Sequence, residues 1–192
     1  MDTQIAKSLF GIDRSQAVYV KTDLQGLEWM QKLPGGQLLS SSKLDLDTDG
    51  IRRDDVRYES THQDQTSLDP DAEWIDSNET PYIVLPGGFG PAFGIRLGDL
   101  AAVLYRDRLV FAVYADVGPR HKFGEGSIAL HRALGFERLA TVDENTKRVR
   151  DVGIESGVVM LIFPGSGSGD ALSPADIQTM GAKLFAQLGG RC

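Results

Sequence analysis

The sequence predicts an α+β fold: a compact, barrel-like sheet with a few helices at its periphery. Three observations carry that expectation. Short apolar runs rich in β-branched and aromatic residues recur, as strands require, at 81–86, 100–105, 109–115 and 157–163. The clearest helical spacing falls in short stretches, 128–134 and 173–188. No regular alternation of strand and helix runs along the chain, which sets aside a doubly wound parallel sheet. The 192 residues suffice for one domain with a sizeable core, with 1–16 and 164–192 expected at its margin.

Taken in order, Ile5, Leu9 and Phe10 suggest one side of a helical turn, and 17–20 (A-V-Y-V) reads as a short strand. Residues 24–33 place Leu24, Leu27 and Met30 on one helical face, although Gly26 weakens a helix. Pro34-Gly35-Gly36 is a turn, and 37–46 a strand. Between 45 and 79 stand twelve Asp or Glu against three Arg, with poor periodicity. A loop of that length is unusual without a function, so we expect it to be ordered, with short strands. Residues 81–86 (P-Y-I-V-L-P) form a strand bounded by prolines, and 87–91 a glycine-rich loop. Two apolar runs around Arg106-Asp107-Arg108 predict a β-hairpin. Residues 136–142 suggest a further strand, 144–151 a polar loop, and 157–163 a central strand. The stretch 164–170 (P-G-S-G-S-G-D) reads as a flexible link. Ser173 and Pro174 then open a helix whose apolar stripe is Ile177, Met180, Leu184 and Leu188.

The chemistry concentrates between 110 and 135. A strand ends at Asp116, Val117-Gly118-Pro119 breaks the pairing, and Glu125 stands two residues before Ser127, an N-cap for a short helix stopped by Gly135. Two carboxylates nine residues apart are thereby held on rigid elements across one loop. Glycoside hydrolysis needs such a pair, one to protonate the leaving oxygen and one to activate water or attack. Asp99 is a lesser candidate that also suits a turn cap. His121 and Lys122 lie in the intervening loop, able to tune a neighbouring pKa but expected to be solvated.

These residues resemble the fungal-type chitosanases of glycoside hydrolase family 75. The likeness rests on Ala115-Asp116, on Gly124-Glu125-Gly126-Ser127, on L-D-L-D-T-D-G (44–50), on Q-T-S-L (65–68) and on the 81–86 strand, all in the family's order. It implies endo-acting hydrolysis of β-1,4 bonds in a cationic, chitosan-like polysaccharide, with inversion, Asp116 and Glu125 as the catalytic pair, and no cofactor. Asp47, Asp49, Gln65 and Thr66 would then line the cleft, Asp47 and Asp49 holding glucosamine ammonium groups. Asx turns are an equal alternative for the two aspartates. The barrel analogy extends to the double-psi type. Family members usually carry disulfides and act outside the cell. This sequence has one cysteine, Cys192, and no signal peptide is visible in it.

Other chemistries fit less well. A net charge of −7 argues against a nucleic-acid partner, and no apolar run suggests a membrane segment. Asp45-x-Asp47-x-Asp49-Gly50 begins like a calcium loop, but Val56 stands where a bidentate glutamate is needed, so no metal is expected. His62, His121 and His131 lack zinc spacing, and 164–170 lacks the P-loop lysine. Two alternatives stay open: a lytic enzyme of peptidoglycan glycan strands, and a carbohydrate-binding module without turnover.

Overall fold

The computed structural model describes residues 11–51, 61–68, 75–136, 145, 153–169 and 172–191. Among them are eight strands: β1 (Val18–Tyr19), β2 (Leu27–Lys32), β3 (Leu38–Asp47), β4 (Tyr82–Pro86), β5 (Leu100–Tyr105), β6 (Arg108–Gly118), β7 (Glu125–Ser127) and β8 (Gly153–Phe163). Three helices accompany them: α1 (Phe89–Phe93), α2 (Ile128–Ala133) and α3 (Pro174–Gln187). Six strands close a barrel in the order β3-β7-β4-β6-β5-β8, with β8 returning to β3. The β3–β7 and β4–β6 pairs are parallel and the rest antiparallel, so the barrel is mixed. One edge of β3 serves two partners in succession: residues 38–42 meet β2 and residues 45–47 meet β7.

Alternation along the strands sorts the core into two faces. Leu38, Ile83, Leu85, Ala101, Val103, Ala112, Tyr114, Met160 and Ile162 belong to one cluster. Their strand neighbours Leu39, Tyr82, Val84, Leu100, Ala102, Phe111, Val113, Leu161 and Phe163 belong to another, together with Ile177 and Phe185 of α3. Six closed strands leave no room for a helix inside. The long helix α3 packs on β5 and β6, so its cluster lies on the outer face, and the other, to which Phe89 of α1 and Leu130 of α2 contribute, fills the barrel. A Cβ on Gly181 would come within 2.5 Å of Phe111, which shows how closely α3 lies on β6.

The expected fold class holds, and so do the hairpin, the strand at 81–86 and the two capped helices. Ser127 accepts from Leu130 N, and Ser173 from Asp176 N. Three expectations are corrected. Residues 27–32 form a strand, not part of a helix, because the edge of β3 offers hydrogen-bond partners that outweigh a weak helical pattern. The loop at 87–91 runs into the short helix α1. The glycine-rich stretch after β8 is pinned rather than free. Gly165 N and Gly167 N donate to the two oxygens of Asp99 at 2.9 Å each, and Leu100 N donates to Ser166 Oγ. The strand expected at 136–142, most of the loop at 144–151 and the apolar turn at 5–10 lie outside the described residues.

Candidate active site

The site begins with an irregularity in β6. Tyr82 and Ile83 of β4 register with Val113 and Tyr114, but Val84 registers with Asp116, so one residue is skipped at Ala115. Such a bulge reverses the alternation of side chains beyond it. Without it Asp116 would follow Ala112 and Tyr114 into the barrel. With it, Asp116 shares the outer face with Val84. On the other side of β4, Val84 registers with Glu125, and on the far side of β7 Glu125 registers with Asp45. Residues in register share a face. Asp45, Glu125, Val84 and Asp116 therefore form one row across four adjacent strands. The two carboxylates singled out from the sequence stand on either side of a single buried valine.

The Glu125 carboxyl group leans toward the strand of Asp116. A Cβ on Gly118 would lie 2.7 Å from Glu125 Oε2 and 3.0 Å from Val84 Cγ1. Glu125 thus reaches over Val84 to the strand that carries Asp116, into space left by a glycine two residues further on. Gly118 has no positive φ, so what it supplies is room.

Asp116 is 3% exposed. Its Oδ1 accepts from Ser67 N at 2.8 Å and from Ser67 Oγ at 2.5 Å. The serine of the Q-T-S-L segment is thus the direct partner of the catalytic candidate. Beside it lie Asp47 and Asp49, and one oxygen from each of the three carboxylates lies within 4.8 Å of the others. Asp47 Oδ1 accepts from Asp49 N at 2.7 Å, an Asx turn, and from the Tyr82 hydroxyl at 2.9 Å. Asp49 accepts from Gln63 N and Gln63 Nε2. Burial, then the charges of Asp49 and Asp116, push the Asp47 carboxyl well above the usual carboxylate range, against the two hydrogen bonds that pull it down. Burial and the Asp47 charge push the Tyr82 hydroxyl up, and burial with the Asp116 charge pushes Tyr114 up to about 12. Such a trio is where a cation could sit, but N–H and O–H donors already claim oxygens of all three members.

Glu125 has different company. Its Oε1 pairs with Lys122 Nζ at 2.6 Å, and the same ammonium lies 3.0 Å from Asp45, which also pairs with Lys43 at 2.6 Å. The expectation that Lys122 is solvated is therefore wrong, while His121 is exposed. The 119–124 loop folds back on residue 25: Gln25 N donates to His121 O and Phe123 N to Gln25 O, which turns Lys122 inward. Burial works against the Lys122 charge, but Glu125 and Asp45 outweigh it and raise its pKa. Phe123, two residues before Glu125, is fully buried in the cluster that fills the barrel, against Phe89.

The remaining sequence candidates separate. Asp47 and Asp49 are 7% and 4% exposed and turned into the fold, so they do not present free charge to a ligand. Thr66 is buried, its methyl group beside Gly50, while Gln65 is exposed. Asp99 is a structural cap, accepting from Arg96 N, Gly165 N and Gly167 N. Asp45 is the residue that sequence reasoning passed over as a member of the site, and Lys122, expected to be solvated, joins it. The only signal for Lys122 was its i,i+3 spacing from Glu125.

Paired carboxylates on one face of a closed barrel, about two strand spacings apart, are an arrangement that glycoside hydrolysis can use. The chain belongs to the fungal chitosanases of glycosyl hydrolase group 75, whose family model matches residues 44–190. It is thus a chitosanase-type glycoside hydrolase, acting on a chitosan-like polysaccharide. No curated protein matches the chain. No helix among the described residues is long and apolar enough to cross a membrane.

Proposed function

We propose that this protein cleaves β-1,4 bonds inside glucosamine-containing chains with inversion, Glu125 acting as general acid and Asp116 as general base. The observation that carries the reading is the shared registration of both residues with Val84. Two strand spacings put their backbones about 9–10 Å apart. Glu125 leaning inward from that distance suits the roughly 6.5–9.5 Å at which a water fits between two carboxyls. The sugar bond lies over Val84. Ser67 holds one oxygen of Asp116 and leaves the other for water. Water loses its proton to Asp116 as its oxygen bonds to the anomeric carbon, and the leaving oxygen takes the proton of Glu125.

Lys122 matters to the geometry of the pair, because its ammonium holds Oε1 of Glu125 in place. Gln65, exposed beside Ser67, is a sugar contact. Asp47, Asp49 and Thr66 shape the cleft from beneath. A polymeric substrate places the work outside the producing cell.

Incubation with chitosan, chitin and peptidoglycan, followed by mass analysis, tests the reading. Glucosamine oligomers of several lengths with reducing ends are expected from chitosan. Anhydro-sugar ends from peptidoglycan, or tight chitosan binding without products, would contradict it.

A further inference from the structure

Two carboxylate oxygens of the buried aspartate trio are left over. Ser67 donates from both its N–H and its O–H to Oδ1 of Asp116, and Tyr82 with Asp49 N uses Oδ1 of Asp47. Among the described residues no donor reaches Oδ2 of either group. Both side chains are under a tenth exposed, and oxygens of Asp47, Asp49 and Asp116 lie within 4.8 Å of one another. Three full negative charges at that spacing, with little water, repel strongly. The groups facing Asp47 are Asp49 from its own turn, Tyr82 from β4 and Asp116 from β6, and His62 lies 3.9 Å behind Asp49. None of the three that face it supplies a cation.

We propose that Asp47 is a positioning residue for Asp116: it stays protonated in the working enzyme and donates that proton to the free side of the Asp116 carboxylate, directly or through one water. Ser67 then holds one oxygen and Asp47 steadies the other, so the base is aimed while still able to take a proton from water. The burial of Asp47 and the two carboxylates beside it favour the protonated form, in agreement with its raised pKa. The inference rests on Asp116 being the base, but the protonation of Asp47 can be measured without any turnover.

The experiment is a carbon-13 NMR titration of aspartate carboxyls in the full chain. One aspartate is expected to remain protonated at about pH 6, where ordinary carboxyls are ionised, and its resonance should vanish in Asp47→Asn. Absence of any such signal from the wild-type protein overturns the proposal, whatever the enzyme does. Kinetics then tests the coupling. Asp47→Ala should lose about tenfold or more in kcat and move the acidic limb of the pH profile upward, since the hydrogen bond to Asp116 is gone. Asp47→Asn, a neutral isostere that can still donate, should recover most of that loss with KM within about twofold. If Asp47→Asn is as damaged as Asp47→Ala, or raises KM about tenfold, Asp47 works as a charge and the proposal fails.

Discussion

The two ends of the carboxylate row are built differently. Asp116 is almost sealed, is held by the neutral donors of one serine, and has further carboxylates as neighbours. Glu125 has a side chain 12% exposed and is held by an ammonium shared with Asp45. One apolar residue, Val84, separates these environments. Two carboxylates can do opposite proton chemistry only if their surroundings differ. Here the difference arises from which loop reaches each side: the 61–68 segment brings Ser67 to β6, and the 119–124 segment brings Lys122 to β7.

Removing either end should have the largest effect. Asp116→Asn and Glu125→Gln are each expected to lower kcat by about a thousandfold or more while circular dichroism stays unchanged. Near-normal chitosan turnover by Asp116→Asn would remove it from the mechanism. Next in size comes Gly118→Ala. A methyl group there meets the flexible end of Glu125 at 2.7 Å and Val84 Cγ1 at 3.0 Å, so the carboxylate yields most and Val84 shifts slightly. A displacement of about 1 Å should cost on the order of a hundredfold in kcat with little change in melting temperature. Unaltered turnover in that variant would mean that Glu125 need not lean over Val84.

Smaller effects sharpen the contrast between the two ends. Ser67→Ala should lower kcat about tenfold, since it removes one charge-assisted hydrogen bond and leaves the Ser67 N–H in place. Lys122→Met should lower kcat about tenfold, since Glu125 loses the ammonium that holds its Oε1. An unchanged kcat in that variant would detach Lys122 from catalysis. The smallest effect concerns stability. A raised Asp47 pKa means that the native state holds a proton which the unfolded chain releases near 3.8. Stability therefore falls as pH rises from about that value toward the native pKa of Asp47. The neutral side chain of Asp47→Asn should flatten that part of the curve, and denaturant unfolding at several pH values measures the difference.

Much of the scaffold was legible because local signals agreed. A β-branched run, a Gly-Pro break and a Ser cap mark the strand, loop and helix around Asp116 and Glu125, and Pro with Ser marks the start of α3. Misreadings arose where distant partners decide. Residues 27–32 carry a plausible helical spacing, but β3 recruits them as a strand. The glycines at 165 and 167 suggest freedom until Asp99, far away in sequence, is seen to hold their N–H groups. In the site, the residue types of the pair could be read, but the one-residue bulge at Ala115 that aims Asp116 outward has no clear local signature. The acidic cluster at 45–49 was visible as charge. Its division into an ion-paired Asp45 and a buried, hydrogen-bonded Asp47 and Asp49 depends on Lys122 and Tyr82, which arrive from elsewhere in the chain.

The most direct test of the central claim is the anomeric form of the first product. Proton NMR during early chitosan hydrolysis should show the α-anomer appearing first and the β-anomer only later by mutarotation, because water attacks from the face opposite the leaving oxygen. Initial release of the β-anomer would mean a covalent intermediate on one carboxylate, and the two groups astride Val84 could not then be acting as an acid and a base with water between them.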